Sequence, residues 1–171
     1  MSSHNHNTMM ISVIGGSSPT QEAVHRAEEV GRELARRGVT VVCGGLEGVM
    51  AAVCRGANEE GWATVGILPG DDPSVANPWV DYPVCTGMGY DRSAIVAKSG
   101  RAVIAIDGAY GTLSEIGHAL SDGVPVIGLG TWGLSRNGSA DTAIVQAATA
   151  VEAVDKAMEA AKARKLGESA S

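Results

Sequence analysis

Short apolar runs of strand type alternate along this chain with helical patterns, and most of the runs stop at glycine-bearing turns. No other feature narrows the fold as far. Met10–Ile14, Val39–Cys43, Thr64–Leu68, Tyr82–Cys85, Ala102–Ile106 and Pro125–Leu129 read as six strands, with a short seventh over Ala143–Ala147. After the first, Ala23, Ala27, Val30 and Leu34 recur at helical spacing, which predicts a helix over Thr20–Arg37 that stops at Gly38. Further helices are expected over Leu46–Glu60, Tyr90–Ser99 and Thr112–Ser121. The last opens on a capping-box pattern at Thr149-Ala150-Val151-Glu152 and runs to about Arg164. Pro69–Asp81 and Trp132–Asp141 read as polar loops. Continuous apolar strands in strict alternation with helices imply an α/β fold: one mostly parallel sheet of six to seven strands, with helices on both faces.

The 171 residues hold one such domain, 9–165, with neither an internal repeat nor an interdomain linker. Polar residues 1–8, with His4 and His6, read as a flexible leader, and residues 166–171 as a flexible tail. Twenty-three glycines and no phenylalanine point to close helix-on-sheet packing by small side chains. A net charge of −6 argues against nucleic acid or an anionic membrane as partner, since both reward a basic face. It does not argue against a small anion held by backbone N–H groups. Cys43, Cys54 and Cys85 form no C-x-x-C pair, so neither a disulfide framework nor a structural metal is expected. No apolar run approaches the roughly 18 residues of a membrane span, and the start lacks the anatomy of a signal peptide. A cytoplasmic protein is the expectation.

Ligands of open α/β sheets bind beyond the carboxyl ends of the strands. Four segments converge there. Gly15-Gly16-Ser17-Ser18 follows the first strand; it departs from the G-x-G-x-x-G dinucleotide fingerprint and reads equally as a tight turn. Cys43-Gly44-Gly45-Leu46-Glu47-Gly48 crowds three glycines into a strand-to-helix junction, where free N–H groups and the helix dipole favour an anion. Asp107-Gly108-Ala109-Tyr110-Gly111-Thr112 is the third such turn, with Glu115 one helical turn further on. Thr112 and Glu115 also match the T-x-x-E of a capping box. In the fourth, Gly87-Met88-Gly89-Tyr90-Asp91-Arg92-Ser93, Arg92 stands at a helix start against the dipole preference. A bound anion or a surface ion pair with Asp91 or another acid would account for it. The candidate ligand-binding residues are therefore Gly15, Gly16, Ser17, Gly44, Gly45, Gly48, Gly108, Gly111 and Thr112.

The pair G-G-x-x-G-x-M (Gly44–Met50) and G-x-G-T-x-x-E, whose Gly111, Thr112 and Glu115 stand here, resembles the Lonely-guy proteins, often mislabelled lysine decarboxylases, and the related molybdenum cofactor carrier proteins. The resemblance runs from Met10 to about Ala163. It implies a Rossmann-like sheet, a homo-oligomer (dimer or tetramer), and no pyridoxal phosphate. Lonely-guy enzymes cleave the N-glycosidic bond of nucleoside 5′-monophosphates. By resemblance Arg92 and Glu115 are their catalytic pair, and Gly108, Gly111 and Thr112 their phosphate turn. This chain carries Asp107 in place of the enzymes' proline, Ala109 for a glycine, and Ser114 for the first of two acids. Val65–Gly70, the G-x-G before Arg92 and Pro125–Thr131 are nearer the carrier pattern.

The reading that follows is a carrier-like binding protein for a phosphate-bearing ligand, with the molybdenum cofactor as possible cargo. A nucleoside-monophosphate phosphoribohydrolase and a nucleotide-sensing or scaffold protein are the alternatives. Asp71, Asp72 and Asp81 read as solvated loop acids, and His25 and His118 as packed or surface histidines. Trp79 and Trp132 are expected near the crevice mouth, with packing as their principal role.

Overall fold

The computed structural model describes residues 8–164; the expected leader, apart from Thr8, and the expected tail lie outside them. The strands are β1 (Met10–Gly15), β2 (Thr40–Cys43), β3 (Thr64–Leu68), β4 (Tyr82–Cys85), β5 (Val103–Ile106), β6 (Val126–Leu129), β7 (Leu134–Arg136), β8 (Ser139–Asp141) and β9 (Ile144–Gln146). The helices are α1 (Gln21–Arg36), α2 (Val49–Glu59), α3 (Arg92–Ser99), α4 (Tyr110–Ser121) and α5 (Ala150–Ala163). Seven strands form one fully parallel sheet in the order β4-β3-β2-β1-β5-β6-β9. The chain builds outward from β1 through β2 and β3 to β4, then returns to β5 on the other side of β1. That reversal makes β1/β5 the switch point, where an open parallel sheet leaves a crevice beyond its carboxyl ends.

Period-two alternation within the strands feeds two separate cores. Ile11, Val13, Val41, Cys43, Ile104, Ile106, Ile127 and Leu129 face α1, α2 and α5, whose Ala27, Val30, Leu34, Val53, Ala57, Val154 and Ala157 are fully buried against them. Ile14, Val42, Val103, Ala105 and Val126 face α3 and α4 through Val96, Ala97, Ile116 and Ala119. The edge strand β4 is exposed throughout, and its Pro83 gives up a ladder donor at an edge, where the loss is tolerable. The α1–α2 crossing depends on two glycines that the sequence reading did not single out. A Cβ on Gly31 would stand 2.1 Å from the Val53 carbonyl oxygen, and one on Gly56 2.0 Å from that of Glu28.

Several boundaries differ from expectation. The loop over Trp132–Asp141 contains the antiparallel hairpin β7–β8, turning at Asn137 (φ 51°) and Gly138 (φ 78°). Asn-Gly is the standard two-residue hairpin signal, and it went unread because so few apolar residues flank it. α2 starts at Val49 rather than Leu46, because Gly48 takes φ 72° as its N-cap. α3 starts at Arg92, behind a single 3-10 turn over Gly89–Asp91. α4 starts at Tyr110, with Ala109 as N-cap and no side-chain capping bond, so Thr112 is its third residue and the T-x-x-E capping box is not formed. At α5 the threonine half of the box forms: Thr149 Oγ1 accepts from Glu152 N at 3.1 Å, while a Glu152 carboxylate oxygen accepts from Ala148 N, one residue ahead of the cap, at 2.8 Å.

Candidate functional site

A cavity of about 290 Å³ opens at the switch point. Gly15, Gly16 and Ser17 line it from the end of β1, Gly44, Leu46 and Met50 from the β2–α2 junction, and Tyr90, Arg92 and Ser93 from the start of α3. Ala109, Gly111, Thr112 and Glu115 close it from α4. All four segments expected to converge do converge. Of the nine candidate ligand-binding residues, Gly15, Gly16, Ser17, Gly44, Gly111 and Thr112 reach the lining, together with Arg92 and Glu115. The other three stand behind it. Gly45 turns toward Leu68 and its carbonyl accepts from Asn77 N at 2.9 Å. Gly48 lies so close to the Gly16-Ser17 backbone that a Cβ would come within 2.3 Å of Gly16 O. Gly108, at φ 104°, packs on the Thr112 side chain.

The wall has two sources of positive potential. The first turn of α4 carries backbone N–H groups without intrahelical acceptors, and no side chain caps them. Those of Gly111 and Thr112 belong to residues that line the cavity. A Cβ on Gly111 would meet nothing within 4 Å, so open space lies over this helix start. The second source is Arg92, only 7% exposed. Its Nη2 donates to Gly44 O at 3.3 Å and its Nη1 to Ser93 Oγ at 3.4 Å, while Nε is buried without a partner. The surface ion pair with Asp91 is not formed among the described residues. A buried guanidinium with an orphaned donor is costly unless an anion completes it.

Glu115 faces the same space. Burial pushes its carboxyl up to about 7, against the pull of the Arg92 charge and a hydrogen bond with Ser93. The raised value lets this carboxyl carry a proton near neutral pH in the absence of ligand. The cavity thus presents a fixed cation, a bare helix N-terminus and one carboxyl able to take up a proton.

Asp107 explains why this turn departs from a proline-glycine-glycine sequence. Its φ is 52°, which the pyrrolidine ring forbids and which aspartate tolerates. From there its carboxylate accepts from Thr20 N at 3.4 Å and its carbonyl from Thr131 Oγ1 at 2.6 Å, tying the start of α1 and the end of β6 to the turn.

Trp132 lies beside the α4 start as expected, donating from Nε1 to Ala109 O at 3.2 Å, its ring 5.7 Å from that of Tyr110. Trp79 does not lie near the mouth: its carbonyl accepts from Thr64 Oγ1, at the amino end of β3, so it belongs to the opposite end of the sheet. Asp81 is structural too, accepting from Thr64 N at 2.8 Å and Asn58 Nδ2 at 3.0 Å. Asp72 caps the 3-10 turn at Ser74. His118 is exposed in the last turn of α4, and His25 bonds Gln21. Among the described residues no three His, Cys, Asp or Glu side chains group to hold a metal ion. No described helix is long and apolar enough to cross a membrane. Sequence reading did not select Val13, Ile14, Leu46, Met50, Tyr90, Ser93 and Ala109 as lining residues. Each lies within two positions of a residue it did select, but none carries a signal of its own.

The SLOG cluster4 family profile matches residues 8–164. A cytokinin riboside 5′-monophosphate phosphoribohydrolase of Mycobacterium tuberculosis is 32% identical over 133 residues, which span 72% of this chain and 71% of the relative. Among solved structures, the molybdenum cofactor binding protein of Rippkaea orientalis superposes with a TM-score of 0.81 at 27% identity, covering 90% of this chain and 98% of that one. The molybdenum cofactor carrier protein of Chlamydomonas reinhardtii gives 0.79 at 29% identity, covering 92% and 99%.

Proposed function

This chain belongs to the SLOG cluster4 family, within the Lonely-guy-like Rossmann superfamily, and we propose that it binds an anionic, phosphate-bearing small molecule in the switch-point cavity as a carrier-type protein. One observation carries the reading: the buried, incompletely partnered Arg92 guanidinium shares a cavity with the uncapped start of α4. The N–H groups of Gly111 and Thr112 and the Thr112 hydroxyl hold the phosphate, and Arg92 takes a second anionic or hydroxyl group. Should the cargo be the molybdenum cofactor, as for the Rippkaea and Chlamydomonas neighbours, these donors meet its phosphate and its oxo group without a protein ligand to the metal. Glu115, its carboxyl raised by burial, admits the anion by taking up a proton.

A second reading, hydrolysis of a nucleoside 5′-monophosphate, draws on the placement of Glu115 and Arg92 in one cavity and on the Mycobacterium relative. Here the ionised carboxylate steadies the positive charge that grows on the ribose as the glycosidic bond lengthens. The two readings need opposite protonation states of Glu115 and therefore diverge with pH. In the carrier reading, the affinity for ribose 5-phosphate, compared between the natural chain and Glu115→Gln, falls as pH rises through about 7. In the hydrolase reading, free base is released from nucleoside 5′-monophosphates at a rate that climbs over the same interval and vanishes in Glu115→Gln. Base release with that profile overturns carriage; binding without release supports it. The homo-oligomer that the resemblance implies is measured on the same samples by light scattering.

A further inference from the structure

We propose that Tyr90 sets the ligand specificity of this cavity by stacking on a flat heteroaromatic ring joined to the phosphate. The inference rests on the phosphate-binding reading above and deepens it. Tyr90 lines the cavity yet is 93% exposed, so nearly all of its ring faces water rather than protein. A lone exposed aromatic is ordinary on a protein surface. The backbone leading to this one is tied to a neighbouring loop. The 3-10 turn that carries it leads directly into Arg92, and Gly87 and Gly89 ahead of it adopt φ 62° and 61°. Hydrogen bonds from Gly87 N to Gly70 O (3.2 Å) and from Gly89 N to Pro69 O (2.8 Å) pin that approach to the loop after β3.

The lining is divided by chemistry. Phosphate donors belong to α4, the guanidinium lies at the start of α3, and the apolar part comes from Val13, Ile14, Leu46 and Met50, with the exposed Tyr90 beside them. A phosphate held at α4 leaves the remainder of a nucleotide-sized molecule to extend past Arg92 toward these apolar groups. An aromatic face there gives a flat ring dispersion and π contact without reading its edge. Both a nucleobase and a pterin answer to this chemistry, and the choice between them is made by the probes.

The test is calorimetric titration of the full chain with ribose 5-phosphate, adenosine 5′-monophosphate and a pterin bearing a phosphate side chain, repeated for Tyr90→Ala and Tyr90→Phe. The expected result is that a ringed probe binds the natural chain more tightly than ribose 5-phosphate does. Tyr90→Ala should weaken that probe roughly 5- to 100-fold, the range for loss of one base–aromatic stack, and leave ribose 5-phosphate unchanged. Tyr90→Phe should keep the natural affinity. Whichever ringed probe shows the larger loss identifies the ring. The proposal is overturned if Tyr90→Ala spares both ringed probes. It is equally overturned if all three probes weaken together, especially with a change of oligomer size, because the ring then supports structure or an interface. Failure of the natural chain to bind ribose 5-phosphate or either ringed probe overturns the phosphate reading itself, and this inference with it.

Discussion

Glu115→Gln isolates the cost of keeping a carboxyl in the cavity wall. Burial raises that carboxyl from 4.5 to about 7. Each tenfold change in proton affinity corresponds to about 1.4 kcal/mol between the two protonation states, so the full rise amounts to at most about 3–4 kcal/mol, less where water in the open cavity screens the charge. The sign follows from proton linkage. The folded chain holds its proton in a range where the unfolded chain has released it, so the raised value favours folding at low pH. That contribution is fully present below about pH 4.5, is lost as pH climbs toward about 7, and is absent above it. Glutamine matches the protonated carboxyl in shape and never ionises. Urea unfolding of the ligand-free natural chain and of Glu115→Gln should therefore give similar stabilities near pH 4, with the variant ahead by about 2–3 kcal/mol near pH 8. All other titrating groups are common to both chains and cancel in the difference. A difference that stays flat across the window would refute the reasoning, because it would mean that Glu115 is solvated and free to ionise.

Arg92→Met should leave ligand-free stability within about 1 kcal/mol, since a buried charge gives way to an apolar chain of similar reach, yet weaken ribose 5-phosphate binding by about 30-fold or more. Gly111→Val fills space that is open in the cavity, so titration should show roughly tenfold or greater loss of phosphate affinity with an unfolding midpoint close to that of the natural chain. Gly31→Ala drives a methyl into the Val53 carbonyl and should cost about 1–3 kcal/mol in urea unfolding, with phosphate affinity retained in the folded fraction. Asp107→Pro demands a backbone angle that proline cannot reach and should cost about 3 kcal/mol or more, whereas Asp107→Gly, measured in the same way, should stay within about 1 kcal/mol.

The α/β architecture was written in local pattern. Strand-length, largely apolar runs such as Val39–Cys43 and Ala102–Ile106 offer no continuous polar face, so each must be covered on both sides, and the helices between them supply the cover. The end of the sheet that carries the site was equally legible, because glycines collect where β1, β2 and β5 pass into helices. Which of those glycines reach the cavity was decided only in three dimensions. Gly44 and Gly45 are neighbours in sequence, yet one lines the cavity while the other, at φ 76°, is directed toward Leu68. Thr112 looked like a helix cap because T-x-x-E is a local signal. The left-handed Asp107, held by Thr20 and Thr131 from distant parts of the chain, allows α4 to begin two residues earlier and turns that threonine inward. The same holds for Arg92 and Glu115: residue type and spacing marked both as candidates, but the burial that orphans one nitrogen and raises one carboxyl comes from packing α3 and α4 side by side over β1. Local sequence sets which backbone shapes are available, and desolvation, which depends on every neighbour at once, sets what the side chains on them can do.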